Sequence, residues 1–414
     1  MEVPIAAMTF AHPVNVMSLA SWQPKSKRSH ISPATTAHRN LQTRLAHHHH
    51  ATPASLPMAI CNTVDKVINR FIDLPEQRPT VDPRRVLSGN FAPVDELPPT
   101  SCHVIRGSIP SCLAGGVYIR NGPNPQHRLP RRTHHLFDGS KVADVPILSL
   151  QKPSVMHDFA ITERYAIFPE SQLIVNPMDM VMRGSSLVGL DRTMVPRIGV
   201  LPRYAKDESD MRWFKVPVFN MLHTTNAWEE ADGEEIVLVA PNNLSIEHML
   251  GNMELMRARV DMVRINLCTG DVSCTALSPE SLEFGVIHQG YVGRKNRYGY
   301  FGVSGPLPKI KGIRKLDFDL VGSGDCTVGR RDFGLGCFAG EPFFVPDNID
   351  GYGNEDSGYV VCYTHEEDTG QSWFVVMDAK SPELDIVAEV QLPSRIPYGF
   401  HGLFVKQAEL LAQQ

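Results

Sequence analysis

Imidazole is the side chain whose number and placement in this sequence point to chemistry. Seventeen histidines occur, seven of them at 12, 30, 38 and 47–50. The informative ones stand beside apolar, strand-like runs. His157 opens His157-Asp158-Phe159-Ala160-Ile161-Thr162, and His223 closes Phe219-Asn220-Met221-Leu222-His223. His401 lies within Tyr398-Gly399-Phe400-His401-Gly402-Leu403-Phe404. Histidines this far apart converge only if separate strands aim inward at one axis, as the inner strands of a propeller do. A site built of imidazoles favours zinc, copper or iron, and each ring needs an acceptor behind it to fix its tautomer. By spacing alone, any one of them is more often a satisfied structural histidine.

Other chemistries find no apparatus. Gly334-Leu335-Gly336-Cys337-Phe338-Ala339 spells GxGxxA, but a dinucleotide loop needs a strand before it and a helix after it. Here Glu341-Pro342-Phe343-Phe344-Val345 begins a strand instead. Gly115-Gly116 lacks the Lys-Ser/Thr of a phosphate loop, and no GxSxG elbow exists. Eight cysteines at 61, 102, 112, 268, 274, 326, 337 and 362 form no CxxC pair. Neither a zinc ribbon nor a thioredoxin site is indicated, and the thiols read as free in a reducing compartment. A net charge of −5 argues against a nucleic-acid partner.

The elements that must position the histidines are short strands. Of 414 residues, 42% are apolar and 21% charged, enough for a globular core, while 32 prolines and 31 glycines break the chain often. Hairpins can be read at 159–168, at 260–276 around Thr269-Gly270-Asp271, and at 358–378 around a Glu366-to-Gly370 turn. Residues 235–240 and 298–303 are further strands, and only 245–256 reads as helical. Many short strands without alternating helices indicate a sandwich, barrel or propeller. No apolar run reaches the length of about 20 residues that a membrane span needs.

The chain is organised in three parts. Residues 1–60 hold five Lys/Arg and one acid, Glu2, and are rich in Ser, Thr, Ala, His and Pro. This is the composition of an organelle transit peptide, with an ordinary disordered tail as the alternative. Residues 61–99 hold an amphipathic helix at 62–74 and a proline-rich linker. Val64, Val67, Ile68, Phe71 and Ile72 fall at i, i+3, i+4, i+7 and i+8. That face packs on its own domain or lies on a membrane surface, and Val64, Ile68, Phe71 and Ile72 are the candidate lipid contacts. Residues 100–414 form the β body.

Several strings carry a family resemblance. They are Val117-Tyr118-Ile119-Arg120-Asn121-Gly122-Pro123-Asn124-Pro125, the His157 string above, Asn226-Ala227-Trp228-Glu229-Glu230, Gly340-Glu341-Pro342-Phe343-Phe344-Val345 and Tyr398-Gly399-Phe400-His401-Gly402. In this order they closely resemble the carotenoid cleavage dioxygenases, most of all the plastid enzymes of the fourth plant subclass. The resemblance runs from about residue 90 onward. It implies an all-β, seven-bladed propeller with one non-haem Fe(II), oxidative cleavage of a conjugated double bond by O2 into two carbonyl products, and plastid residence. Three iron ligands carry over onto His157, His223 and His401, and the carboxylates behind them onto Glu283 and Glu341. A carotenoid or apocarotenoid substrate is implied, with the 9,10 (9′,10′) bond as the family-level expectation. So is peripheral contact with a plastid membrane or lipid droplet.

The resemblance also exposes a gap. The family's first ligand histidine stands in an Ala-His-Pro context, and here the only such string is Ala11-His12-Pro13. Text like His134-His135-Leu136-Phe137-Asp138-Gly139 runs almost directly into Asp144-Val145-Pro146-Ile147, so an internal deletion near 139–143 is expected. At about 40–45 residues per blade, it would remove two to three blades, together with the glutamate the family pairs with the His157-type ligand. His134, His135 and His288 are the remaining candidates for a replacement ligand. The competing expectation is a catalytically impaired, truncated isoform that binds carotenoid or lipid without cleaving it.

Overall fold

The computed structural model describes residues 89–92, 94–95, 97–121, 145–176, 188–249, 252–305, 309–347 and 354–412. The expectations at 1–60, at Val64, Ile68, Phe71 and Ile72, at His134 and His135, and across 139–143 lie outside the described residues.

Among the described residues, twenty-two strands and one short α-helix follow in chain order, with a few 3-10 turns between them. First come β1 (His103–Gly107), β2 (Val117–Asn121), β3 (Ala160–Ile161), β4 (Tyr165–Glu170), β5 (Leu173–Val175), β6 (Val188–Leu190), β7 (Arg197–Pro202) and β8 (Arg212–Lys215). Next are β9 (Asn226–Glu230), β10 (Glu235–Asn243), β11 (Ala258–Asn266), β12 (Val272–Ala276), β13 (Leu282–Val286), β14 (Tyr298–Ser304), β15 (Ile310–Asp317) and β16 (Thr327–Asp332). Last are β17 (Cys337–Ala339), β18 (Phe343–Pro346), β19 (Gly358–Glu366), β20 (Gln371–Asp378), β21 (Ile386–Gln391), β22 (Phe400–Val405) and the helix α1 (Gln407–Ala412).

Pairing sorts them into blades. Antiparallel four-stranded sheets run β3-β4-β7-β8, β9-β10-β11-β12, β13-β14-β15-β16 and β18-β19-β20-β21. β1 joins the last of these through β21, and β2 pairs only with β22. β17 touches both β15 and β19 and stitches two blades into one sheet. Consecutive sheets, each closed on itself in sequence, make a β-propeller. Among the described residues there are four four-stranded blades and two two-stranded sheets, β2-β22 and β5-β6, fewer than seven complete blades.

Alternation along the strands explains why the blades stack. On β10, Ile236, Leu238 and Ala240 pack with Ile167, Ile198 and Val200 of the preceding blade. Val237 and Val239, pointing the other way, pack with Leu282, Phe301 and Leu316 of the following one. All five are fully buried, so a central blade reads as a continuous apolar run rather than an alternating one. The hairpin read at 358–378 is β19–β20 in register from Tyr359↔Asp378 to Glu366↔Gln371, and its turn closes on Gly370 at φ +70°.

Two readings are corrected. The expected helix at 245–256 is instead a pair of short 3-10 turns, Ile246–His248 and Met253–Leu255. The Gly251-Asn252 pair in the sequence is a poor helix former, and neither described turn is long enough to sustain a helical nucleus. Conversely, α1 forms where no helix was expected. Its Glu409 accepts the Lys406 N–H at 2.8 Å, the back-reaching half of a capping box. No helix among the described residues is long and apolar enough to cross a membrane.

Candidate metal centre

The polar residues of interest share one topological position. His157 lies just before β3, His223 just before β9, Glu283 in β13, Glu341 just before β18 and His401 in β22. The first four stand on or just ahead of the leading strand of a sheet, and His401 stands on β22, the partner of β2, so successive sheets deliver successive side chains to one place. The period of a blade is visible in the pairs: His223 and Glu283 are 60 residues apart, as are Glu341 and His401.

The three histidines meet. One nitrogen from each of His157, His223 and His401 lies within 4.8 Å of the others, and the three form the one cluster of metal-ligand type among the described residues. The Nε2 atoms of His157 and His401 are 3.4 Å apart. The His157 and His223 rings stand edge to face, with centroids 4.9 Å apart at 86°. His288 is elsewhere: its Nδ1 accepts the Gly290 N–H, and its ring packs on Tyr291 and Phe344. It does not replace a ligand.

Carboxylates fix the rings from behind. His223 Nδ1 faces Glu283 Oε2 at 3.1 Å, and His401 Nδ1 faces Glu341 Oε2 at 3.3 Å. Both contacts require Nδ1 to carry the proton, which leaves Nε2 as the lone-pair donor to a metal. A third carboxylate, which the sequence reading did not single out, is Asp158. It accepts the N–H groups of Phe159 and Thr224, each at 2.8 Å. Its place directly after His157 was the one signal available.

The backbone is bent to achieve this. His401 has φ +55°, and it is the extra residue of a bulge, because Arg120 pairs with Gly402 while Asn121 pairs with Phe400. Phe284, next to Glu283, has φ +54° in the irregular stretch of β13 between Glu283 and Val286. Left-handed backbone at non-glycine residues is uncommon and costs about 1–3 kcal/mol each. Bulges re-aim side chains. Here one bulge turns a ligand and the other turns a ligand's acceptor.

Charge follows the same plan. Burial pulls the His223 imidazolium down, yet Glu283, with Glu341 and Asp158 farther off, outweighs it and the ring sits above its ordinary value. Burial pushes Glu341 up, but the His401 ring and N–H together hold it below the usual carboxylate range. Asp158 goes the other way: burial raises it despite its two N–H partners. Apolar rings complete the surroundings. Phe284 leans on His223 with centroids 5.1 Å apart and on Phe400 at 6.1 Å.

Three converging imidazoles, two of them backed by carboxylates and with phenylalanine rings beside them, fit a divalent transition metal, and on a propeller they define a metal-dependent enzyme class. Comparison with known proteins names it. The family described as retinal pigment epithelial membrane protein (RPE65) matches residues 91–143 and 139–406, two segments that meet at 139–143. The chain belongs to this RPE65/carotenoid oxygenase family.

Two relatives and one solved structure are informative. The Oryza sativa subsp. japonica protein named 9-cis-epoxycarotenoid dioxygenase NCED2, chloroplastic, is 70% identical over 576 aligned positions, covering 100% of both chains. This chain brings 414 residues to those positions, so 162 of them (576 less 414) face no residue here. The Crocus sativus protein named zeaxanthin 7,8(7′,8′)-cleavage dioxygenase, chromoplastic, is 58% identical over 279 residues, 67% of this chain and 75% of its own. The crystal structure of cobalt-substituted Synechocystis ACO matches at TM-score 0.53 and 27% identity over 61% of this chain. The chain spans about half of that structure, 53%. Relatives named chloroplastic and chromoplastic assign the protein to the plastid.

Proposed function

We propose that this protein is an iron-dependent dioxygenase that cleaves a conjugated double bond of a carotenoid. The observation that carries the reading is the convergence of His157, His223 and His401 to within 4.8 Å. These rings would hold one Fe(II). When bound, iron supplies the O2 chemistry that an apolar polyene cannot undergo with protein side chains alone. Both oxygen atoms end in the two carbonyl products, so no external reductant is consumed.

The chain's own residues orient and exclude. Glu283 and Glu341 hold two rings in one tautomer, and neutral imidazoles leave the metal's charge uncompensated in its immediate sphere. Phe284 and Phe400 offer apolar rings at the histidines, suited to a hydrocarbon and not to water. The 9,10 (9′,10′) bond is the family-level choice. The relatives carry names for a 9-cis-epoxycarotenoid and for 7,8(7′,8′) cleavage, so product masses must decide the position.

We further infer an internal deletion near 139–143. The family match breaks at that place, the rice alignment contains unmatched positions, and the described sheets number fewer than seven. A site with three histidines in place of four should hold iron more weakly than a full-length relative.

The test is iron per chain on the purified full-length protein, followed by incubation with β-carotene, zeaxanthin and a 9-cis-epoxycarotenoid under O2. Iron-dependent release of paired carbonyl products is expected. Retention of carotenoid with iron bound but no product would move the reading to a binding protein. Stoichiometric iron at the affinity of a full-length relative would overturn the weak-site expectation.

A further inference from the structure

We propose that Asp158 is a positioning residue of the metal centre, its carboxylate fastening the His157 segment to the His223 segment and so setting the approach of two of the three imidazoles. The inference rests on the metal-binding reading above and concerns a residue that touches neither metal nor substrate.

The two histidines come from loops, not from ladders. Ahead of His157, backbone pairing reaches Val155, whose N–H goes to the Leu173 carbonyl. It resumes at Ala160, which pairs with Ile167 in β3–β4. His157 thus lies between strands and not in one. His223 is in the same position: Met221 makes an isolated bridge to Asn242, and Thr225 donates to Val239 where β9 is about to begin.

Asp158 spans the space between them. Its Oδ1 accepts the Phe159 N–H, which closes a tight local turn of its own segment. Its Oδ2 accepts the Thr224 N–H, one residue beyond His223. Hydrogen bonds from backbone N–H groups to a carboxylate are charge-assisted and stronger than neutral ones. A partly buried Thr224 N–H would otherwise lose its acceptor. The side chain next to one ligand therefore holds the main chain next to another. The ring pair it brackets stands edge to face at 4.9 Å. Metal geometry tolerates displacements of only about 0.5 Å, so a loop-borne ligand pair needs such a tie.

Asp158→Asn tests this on the full chain with cobalt(II) as the probe. Asparagine keeps the shape but one oxygen, so its amide turns N–H toward one of the two N–H donors and that bond is lost. The expected result is cobalt affinity reduced about 10–100-fold and altered d–d absorption bands. The metal-free protein should melt somewhat lower as well, because an N–H loses its acceptor, so the bands and the affinity carry the test. Asp158→Glu keeps both acceptors but places them one methylene farther out. It should fall between wild type and Asp158→Asn in affinity, with its own band shift, and it serves as the variant to read if the asparagine form fails to fold. Wild-type affinity and spectrum in either variant would overturn the proposal, as would a lowered melting temperature with an unchanged spectrum. Failure of the wild-type protein to bind cobalt through His223 and His401 would instead bring down the metal reading itself.

Discussion

Glu341 Oε2 accepts the backbone N–H of His401 at 2.6 Å and also faces Nδ1 of the same residue at 3.3 Å. One oxygen thereby fixes both the ring and the left-handed main chain that carries it. The strain of φ +55° is placed where a charge-assisted bond can hold it.

Glu341→Gln should therefore do more than loosen an imidazole. The amide oxygen can still take one of the two contacts, but without the charge. Metal affinity is expected to fall about 10–100-fold, and the metal-free protein should lose stability because the His401 bulge is less well held. Cobalt titration together with thermal unfolding checks both. A drop in affinity with no loss of stability would show that the backbone bond contributes nothing.

Gly285 is the second lever. A Cβ there would run into the Phe301 ring and Thr225 Oγ1, so the β13 segment that presents Glu283 sits against its neighbours with no room for a methyl group. Gly285→Ala is expected to cost about 1–3 kcal/mol by overpacking and to weaken metal binding by displacing Glu283 from His223. Unfolding in denaturant measures the first, and cobalt titration the second. An unchanged affinity would mean that Glu283 holds its place independently of β13.

The ligand assignment has a matched control. His223→Ala and His401→Ala should each abolish stoichiometric metal binding, whereas His288→Ala should leave it at wild-type levels because that ring packs on Tyr291 and Phe344. Metal content by elemental analysis decides. Loss of metal in His288→Ala would reinstate it as a ligand.

Much of the β architecture could be read from hairpin turns and strand-like runs, and the two faces of β10 show why the propeller could not be chosen from periodicity. Strands buried on both sides lose the alternation that identifies a face. His157, His223 and His401 stood out by type, but only the family resemblance tied Glu283 and Glu341 to them. The structure adds the physical rule that was hidden in the numbering: acceptor and ligand lie one blade apart, 60 residues in each pair. Neither the left-handed turns at His401 and Phe284 nor the tie made by Asp158 leaves a sequence signature, because bulges are set by what pairs across the sheet. The helix expected at 245–256 failed for a local reason, the poor helix propensity of the Gly251-Asn252 pair in its sequence.

Two expectations concern residues ahead of the described fold. Fused to a fluorescent reporter, residues 1–60 should direct import into plastids, and a cytosolic signal would refute a transit role. Phe71→Glu should reduce co-sedimentation of the protein with liposomes if Val64, Ile68, Phe71 and Ile72 form a lipid-facing stripe. Unchanged co-sedimentation would assign that face to packing instead.

The pairing of β2 with β22 also sets a clock. Val117 pairs in register with Val405, and among the described residues β2 is the one strand paired with the strand that carries His401. Contacts between residues so distant in sequence form slowly, since the intervening loop must close before they give anything back. A chain that enters the plastid N-terminus first delivers His157 and His223 before β22. The metal pocket is thus among the last features to be completed during folding. A metal ion captured early would meet two imidazoles rather than three, so completing its site and closing the chain would be the same event.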